Sequence, residues 1–415
     1  MGFQLFIQKR QGERIMMPCV LDGVDLELNR QGAPGKLTFT VIKDGGLSFI
    51  EGDCVFLNVA GVDVFRGYVV KKSRNKNHQI EVTCYDQLFY LAQNQTRYVA
   101  RGVTASKAIK ELCAERGVLV GDIVDTGYTI VKHRIDSATS YLDIIQELLD
   151  VTLAYTGKMF VLYDDVGNLT LKNIDDMKYN EDGNILLVSE EGAEDFDYES
   201  SIENTYASVL VFQKVEANSE AVQNAVPVSV MDTSGLIHAG QSMVVMNEDG
   251  SVQHSYAPGL YNGSAKTDSF ERDEDGCLII SKAAQKSNDG AVNAVAGEGK
   301  KGSLLLMAAC EYPEGKAQWG NLTYHDEVDS NMPPEDIQQR ARALLELHAQ
   351  VKRKLNINGV FCDPRIRPGS SVLVAINLGD IDVKQFFLVE SVTHHFKNDH
   401  STMDLTVKSS KGFVL

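Results

Sequence analysis

Two stretches of this chain, residues 50–86 and 366–410, follow one plan. Each opens on a glycine, Gly52 or Gly369, and continues as an alternating run: Val55, Leu57 and Val59 in the first, Val372, Val374 and Ile376 in the second. A second glycine, Gly61 or Gly379, then sits beside an acidic residue. A further apolar run follows (64–70 and 386–392), then a polar, basic tip and a third run (80–84 and 403–407). Successive side chains of a strand point to opposite faces, so period-two alternation punctuated by glycine and polar clusters marks consecutive antiparallel strands. A meander used twice narrows the fold to two related β-barrels or sandwiches. No catalytic group accompanies either copy, and a duplicated barrel suits the building of a ring.

At 415 residues the chain has material for two to four domains. Its 43% hydrophobic and 23% charged content is that of a soluble protein. No apolar run approaches the roughly 18 residues of a membrane span, and the opening MGFQLFIQKRQGER lacks the apolar core of a signal peptide. The expectation is a protein made in a cytoplasm, with no membrane partner. Cys19, Cys54, Cys84, Cys113, Cys277, Cys310 and Cys362 form no CxxC pair, and several fall within strand patterns. They read as buried reduced thiols, not as a disulfide frame or zinc site. The net charge of -17 opposes general nucleic-acid binding, which needs a basic face, but suits a channel wall past which a polyanion slides.

The fold class expected is α+β: two related antiparallel β-barrels, an α+β domain between them, and an inserted, loosely patterned β segment. Residues 1–98 form the first barrel domain and 99–190 the α+β domain. Residues 191–214 and 304–415 form the second barrel domain, which carries a helix at 334–354, and 215–303 are an insertion within it. Inside the α+β domain, Thr104 is placed to N-cap a helix bearing Ile109, Leu112 and Cys113, which Gly117 closes. Ser140 and Asp143 resemble a capping box ahead of Leu142, Ile145, Leu149 and Leu153, with Gly157 at the end. MFVLYDDVGNLTLKNI reads as a hairpin. In the insertion SMVVMNEDGSVQHSY reads as a hairpin and GCLIISKAA as a strand, while QKSNDGAVNAVAGEGKKG holds almost no bulky side chain. The 334–354 helix opens at Pro333-Pro334 and puts Ile337, Ala341, Leu344, Leu345, His348 and Val351 on one face.

No combination of residues defines a catalytic, cofactor or metal site. Asp164-Asp165 falls in a hairpin turn, where aspartate is favoured for its bonds to the backbone, and Asp175-Asp176 in a polar connection. His394 and His395 face opposite sides of a strand and cannot share one ion, and with His400 they read as surface or interface residues. His348 on an apolar stripe reads as a core or interface histidine. The basic tips, Lys71, Lys72, Arg74 and Lys76 in one place and Arg365 with Arg367 in another, lack the interleaved aromatics of a nucleic-acid site. In an acidic ring they could instead pair with carboxylates of a neighbouring subunit. No nucleophile elbow, phosphate-binding glycine loop or HExxH is present.

Several segments resemble a known family: GDCVFLNVAGVDVFRGYVVKKSRNKNHQIEVTCYDQLFYLAQNQTRYV, DIIQELLDVTLAYTGKMFVLYDDVGNLTLKNIDDM, DFDYESSIENTYASV and RIRPGSSVLVAINLGDIDVKQFFLVESVTHHFKNDHSTMDLTV. They are similar to the XkdQ/YqbQ-type hub proteins of contractile phage tails and phage-tail-like particles of Gram-positive bacteria, over most of residues 40–205 and 317–410. The resemblance implies a structural baseplate hub, a homotrimer whose two barrels per subunit make a pseudo-sixfold ring between the hexameric tail tube and the central spike. It implies as further partners the tape-measure protein in the lumen, a LysM-type hub-associated protein and wedge proteins. DNA would pass through without specific binding, and the protein would reside in the tail baseplate after assembly in the host cytoplasm. The family pattern carries no catalytic residue and no cofactor. The insertion at 215–303 departs from it, and the rival readings, a wall-degrading activity or a sugar-binding module using Tyr256, Tyr261 and Phe270, are confined there.

Overall fold

The computed structural model describes residues 2–10, 14–177, 187–189, 192–216, 242–246, 252–256, 303–328, 334–377, 382–398 and 400–409. The chain divides into two compact units: Met1–Leu153, Lys158–Ser201 and Lys352–Leu415 form the first, Ala154–Gly157 and Ile202–Val351 the second.

The first unit begins with strands β1 (Phe3–Gln8), β2 (Ile15–Met16), β3 (Val20–Asn29), β4 (Lys36–Ile42), β5 (Cys54–Val59), β6 (Val62–Arg74) and β7 (Gln79–Tyr85). Alternation does in these strands what the sequence requires: in β4, Leu37, Phe39 and Val41 are buried while Lys36, Thr38 and Thr40 are half-buried. A helical layer follows, with α1 (Leu88–Gln93), β8 (Gln95–Ala100), β9 (Val103–Thr104), α2 (Ala105–Arg116), β10 (Val120–Ile123), β11 (Thr129–Ile130), β12 (His133–Ser140), α3 (Tyr141–Thr156), β13 (Phe160–Asp164) and β14 (Leu169–Asn173). The Thr104 hydroxyl accepts from the Lys107 amide and Gly117 ends α2 in the left-handed region. Ser140 caps α3 by accepting from the Asp143 amide while its hydroxyl donates to the Asp143 carboxylate. The β13–β14 hairpin turns at Val166-Gly167, both at positive φ, and the Asp164 carboxylate accepts from the Gly167 amide at 2.6 Å.

Next come β15 (Leu187–Ser189) and β16 (Asp195–Ser201). The second unit then supplies β17 (Ser208–Glu216), β18 (Ser242–Met246), β19 (Val252–Tyr256), β20 (Ser303–Glu311), α4 (Pro313–Trp319), β21 (Thr323–Val328) and α5 (Pro334–His348). Its five-stranded sheet runs β19-β18-β20-β17-β21, and β18 with β19 is the hairpin read from the sequence. Ile337, Ala341, Leu344 and Leu345 of α5 share a core with Val209 and Val211 of β17 and with Ala308 and Cys310 of β20. The helix expected to reach residue 354 stops at His348. The chain is a strand again from Lys352, because Leu355 and Ile357 alternate into a different core. The strand read in GCLIISKAA lies outside the described residues. The first unit is completed by β22 (Lys352–Phe361), β23 (Ser371–Asn377), β24 (Asp382–Phe396) and β25 (Thr402–Lys408).

The duplication extends beyond the meander. One half of the first unit orders its strands β3-β4-β7-β6-β5, the other β16-β22-β25-β24-β23; the next strands differ, since β1 runs antiparallel to β5 and β15 parallel to β23. The Gly52 amide donates to the Val69 carbonyl (2.7 Å) and the Val69 amide to the Asp53 carbonyl (2.9 Å). In the second half the Gly369 amide donates to Val389 (2.9 Å) and the Val389 amide to Ser370 (2.9 Å). Both glycines hold φ near +90°, which a side chain opposes. Beyond this point each long strand is bulged, at Val70 in β6 and Glu390 in β24. Two separate closed barrels are not what results among the described residues. The outer part of β24 pairs with β3 of the other half, so the halves fuse into one open, mostly antiparallel sheet.

Candidate assembly interface at the joint between the halves

The joint is built where β24 leaves its own half. Residues 391–396 run antiparallel to β3, with Ser391 opposite Asn29, Thr393 opposite Glu27 and His395 opposite Asp25. The Arg30 amide donates to the Glu390 carbonyl at 2.9 Å, which makes these three the non-hydrogen-bonded pairs, whose side chains approach closest. Bulging at Glu390 turns its carboxylate toward Arg30, whose Nε lies 3.0 Å away; both side chains are largely buried. Leu28 packs against the cores of both halves, and Phe396 and Cys362 enter the core of the first.

Neighbouring histidines divide the work at this strand. His394 points into the core, where its ring stacks on Phe396, its Nε2 lies 3.0 Å from the Ile366 carbonyl and its Nδ1 3.5 Å from the Cys362 thiol. Burial holds its pKa down to about 4, so the ring is neutral. His395 points outward between Asp25 (2.7 Å) and Asp404 (3.0 Å). Those hydrogen bonds, Asp25 first, outweigh desolvation and lift its pKa to about 9. The joint therefore carries a cation on β24 and anions on either side of it.

The remaining sequence candidates do not converge. Asp164 is half-buried at its hairpin turn, where desolvation raises its pKa, and Asp165 pairs with Arg367 at 3.1 Å. Asp175 and Asp176 sit in a 3-10 turn, Ile174–Met177. Arg365 pairs with Asp363 at 3.0 Å, so Arg365 and Arg367 both have carboxylate partners within the chain. His348 stacks on Tyr324 within the second unit. His400 is exposed just before β25. Cys54, Cys84, Cys113 and Cys362 are buried free thiols and Cys19 an exposed one, but Cys310 is disulfide-bonded, a pairing that sequence spacing does not encode. Among the described residues no cluster of metal-ligating side chains forms, and no helix is long and apolar enough to cross a membrane.

Sequence reasoning passed over Asp25 and Glu27. Following the paired registers, Leu37 of β4 matches Leu355 of β22, so Asp25-Leu26-Glu27 of β3 matches Asp197-Tyr198-Glu199 of β16. The signal is present as VDLE against FDYE, upstream of the repeated meander.

The YqbQ-like family profile matches residues 24–237 and 275–408. The chain belongs to the YqbQ-like family. It is 31% identical over 160 residues to the phage-like element PBSX protein XkdQ of Bacillus subtilis, covering 38% of this chain and 49% of that protein. It is 30% identical over 244 residues to YqbQ of the same organism, covering 57% of this chain and 70% of YqbQ. The aligned region thus spans about half the length of XkdQ. Among solved structures, the 43 kDa tail protein of prophage MuSo2 from Shewanella oneidensis matches over 97% of this chain and 98% of its own, at TM-score 0.54 and 11% identity. Prophage tail protein gp18 from Listeria monocytogenes matches over 99% and 95%, at TM-score 0.54 and 10% identity. This YqbQ-like chain has the fold of phage tail proteins.

Proposed function

We propose that the chain is a structural hub of a phage-type tail baseplate. Three copies form a ring in which six similar halves approximate sixfold symmetry, matching a hexameric tail tube on one side and a trimeric spike on the other. The ring starts tube assembly, seats the spike and surrounds the path of the tape-measure protein and of DNA. Wedge proteins and a LysM-type hub-associated protein contact its outside. One observation carries this reading: the two halves share strand order, glycine conformation, amide bonds and bulge position, and they join edge to edge. A chain that presents the same surface twice converts threefold into near-sixfold symmetry. The net charge of -17 suits a lumen through which DNA slides without being held.

Light scattering with negative-stain imaging of the purified chain tests the reading. Particles of three times the chain mass, with a central hole, are expected. A chain that stays monomeric when tube and spike proteins are co-expressed overturns it.

A further inference from the structure

The joint inside the chain has a counterpart that the chain itself leaves open. In β24, residues 382–388 pair with β23 and residues 391–396 with β3. In β6, residues 62–68 pair with β5, but no strand among the described residues pairs with the same edge of residues 71–74. The match of Val69 to Val389 makes Lys71, Ser73 and Arg74 the equivalents of Ser391, Thr393 and His394. At the other end of the sheet β16, the equivalent of β3, pairs among the described residues only with β22. One acceptor edge and one donor edge are thus left over, and they are the two members of the joint already seen within the chain.

We infer that β16 of one copy pairs antiparallel with the outer part of β6 of the next, repeating the β3–β24 joint between chains. This rests on the ring reading above and names its contact. Transferring the register puts Lys71 opposite Ser201, Ser73 opposite Glu199, Arg74 opposite Tyr198 and Asn75 opposite Asp197. The charges agree with the transfer. Lys71, Arg74 and Lys76 have no carboxylate partner among the described residues, and Lys72 lies 3.5 Å from Glu51. Across from them β16 carries Asp195, Asp197 and Glu199, all exposed and in no ion pair among the described residues. Basic strand against acidic strand is the polarity of the internal joint, where His395 of β24 meets Asp25 of β3. Lys71 sits diagonal to Glu199, within reach of a long side chain. A cleft of about 380 Å³ lined by Lys43, Phe49, Lys72, Arg74 and Ile80 opens beside the β6 edge, and Tyr198 falls opposite Arg74 there. The contact is head-to-tail, so it generates a closed ring or an open filament and not a face-to-face dimer. Pairing also covers two exposed strand edges that otherwise invite aggregation.

The test places cysteines at Ser73 and Glu199, both exposed, in the full chain. They fall on a non-hydrogen-bonded pair, where Cα atoms lie about 4.5 Å apart, within disulfide range. Mild oxidation is expected to give head-to-tail covalent multimers ending at the closed ring, while Ser73→Cys with Tyr198→Cys, which face opposite sides of the sheet, gives none. A second arm leaves thiols aside. Asp197→Lys with Glu199→Lys is expected to shift the ring to monomer, and Lys71→Glu with Ser73→Glu, on the face that meets them, added in the same chain to restore it. A wild-type ring without Ser73–Glu199 cross-links, and indifferent to charge reversal, overturns this pairing and leaves the ring reading standing. A chain that is monomeric, uncross-linked and unresponsive to tube and spike proteins overturns both.

Discussion

His394 and His395 share a peptide bond, yet the fold drives their protons in opposite directions. His395 gains a proton affinity from Asp25 and Asp404 that the unfolded chain lacks, lifting its pKa to about 9. Its contribution is fully present below its unfolded value of about 6.5 and is lost as pH rises through about 9. Denaturant midpoints measured across pH are therefore expected to fall more steeply between pH 7 and 9.5 in the wild type than in His395→Asn. Parallel curves would remove His395 from the joint's energetics. Burial acts the other way on His394, holding it down to about 4. Its contribution is present above about 6.5 and fades as pH falls toward 4, because only the unfolded chain takes up the proton readily. His394→Leu is expected to flatten the acid limb between pH 6.5 and 4. The same variant costs about 1–3 kcal/mol at neutral pH, since the Ile366 carbonyl loses its buried partner. Midpoints at pH 7 and pH 4.5 check both.

At the scale of elements, the repeated glycines separate strain from crowding. Gly52 and Gly369 hold φ at +90° and +92°, so alanine at either is expected to cost about 1–2 kcal/mol from the backbone alone. The surroundings differ. A Cβ at Gly52 meets nothing nearer than Arg10 at 3.9 Å, whereas one at Gly369 meets Val161 at 2.8 Å. Gly369→Ala is thus expected to lose a further ~1–3 kcal/mol through overpacking, measured by urea denaturation of the two variants side by side. Equal losses would mean that Val161 moves aside. These glycines were legible in the sequence because each sits next to the alternation it interrupts, and the caps Thr104, Ser140 and Gly157 were legible for the same reason. The end of α5 was misread because His348, Val351 and Leu355 keep helical spacing across the point where the strand begins. The joint itself was not legible. Which strand takes the free edge of β24 depends on a partner some 370 residues away, and neither periodicity nor turn chemistry carries that distance.

For the whole molecule, the duplication explains where the second unit is attached. In the first half β3 and β4 are joined by residues 30–35, while in the second half the equivalent strands β16 and β22 are separated by residues 202–351. Ser201 and Lys352 are direct partners across the two strands, so the chain leaves and returns at one point of the sheet. An insertion whose ends are already adjacent adds little closure cost to its host, because loop entropy grows only slowly with length. The host also has cores without a residue from 202–351. Replacing 202–351 by the residues of the 30–35 turn should therefore leave the remainder folded. The last turn of α3 needs one adjustment, because Ala154 shares the core of the second unit and the Tyr155 carbonyl accepts from Gln339. Polar residues at 154 and 155 remove that exposed patch. The shortened chain is expected to keep its β-sheet circular dichroism, unfold in one cooperative transition, and still form Ser73–Glu199 cross-links. A shortened chain that is unfolded would make 202–351 part of the folding unit; one that folds but cannot cross-link would assign those residues a direct part in assembly.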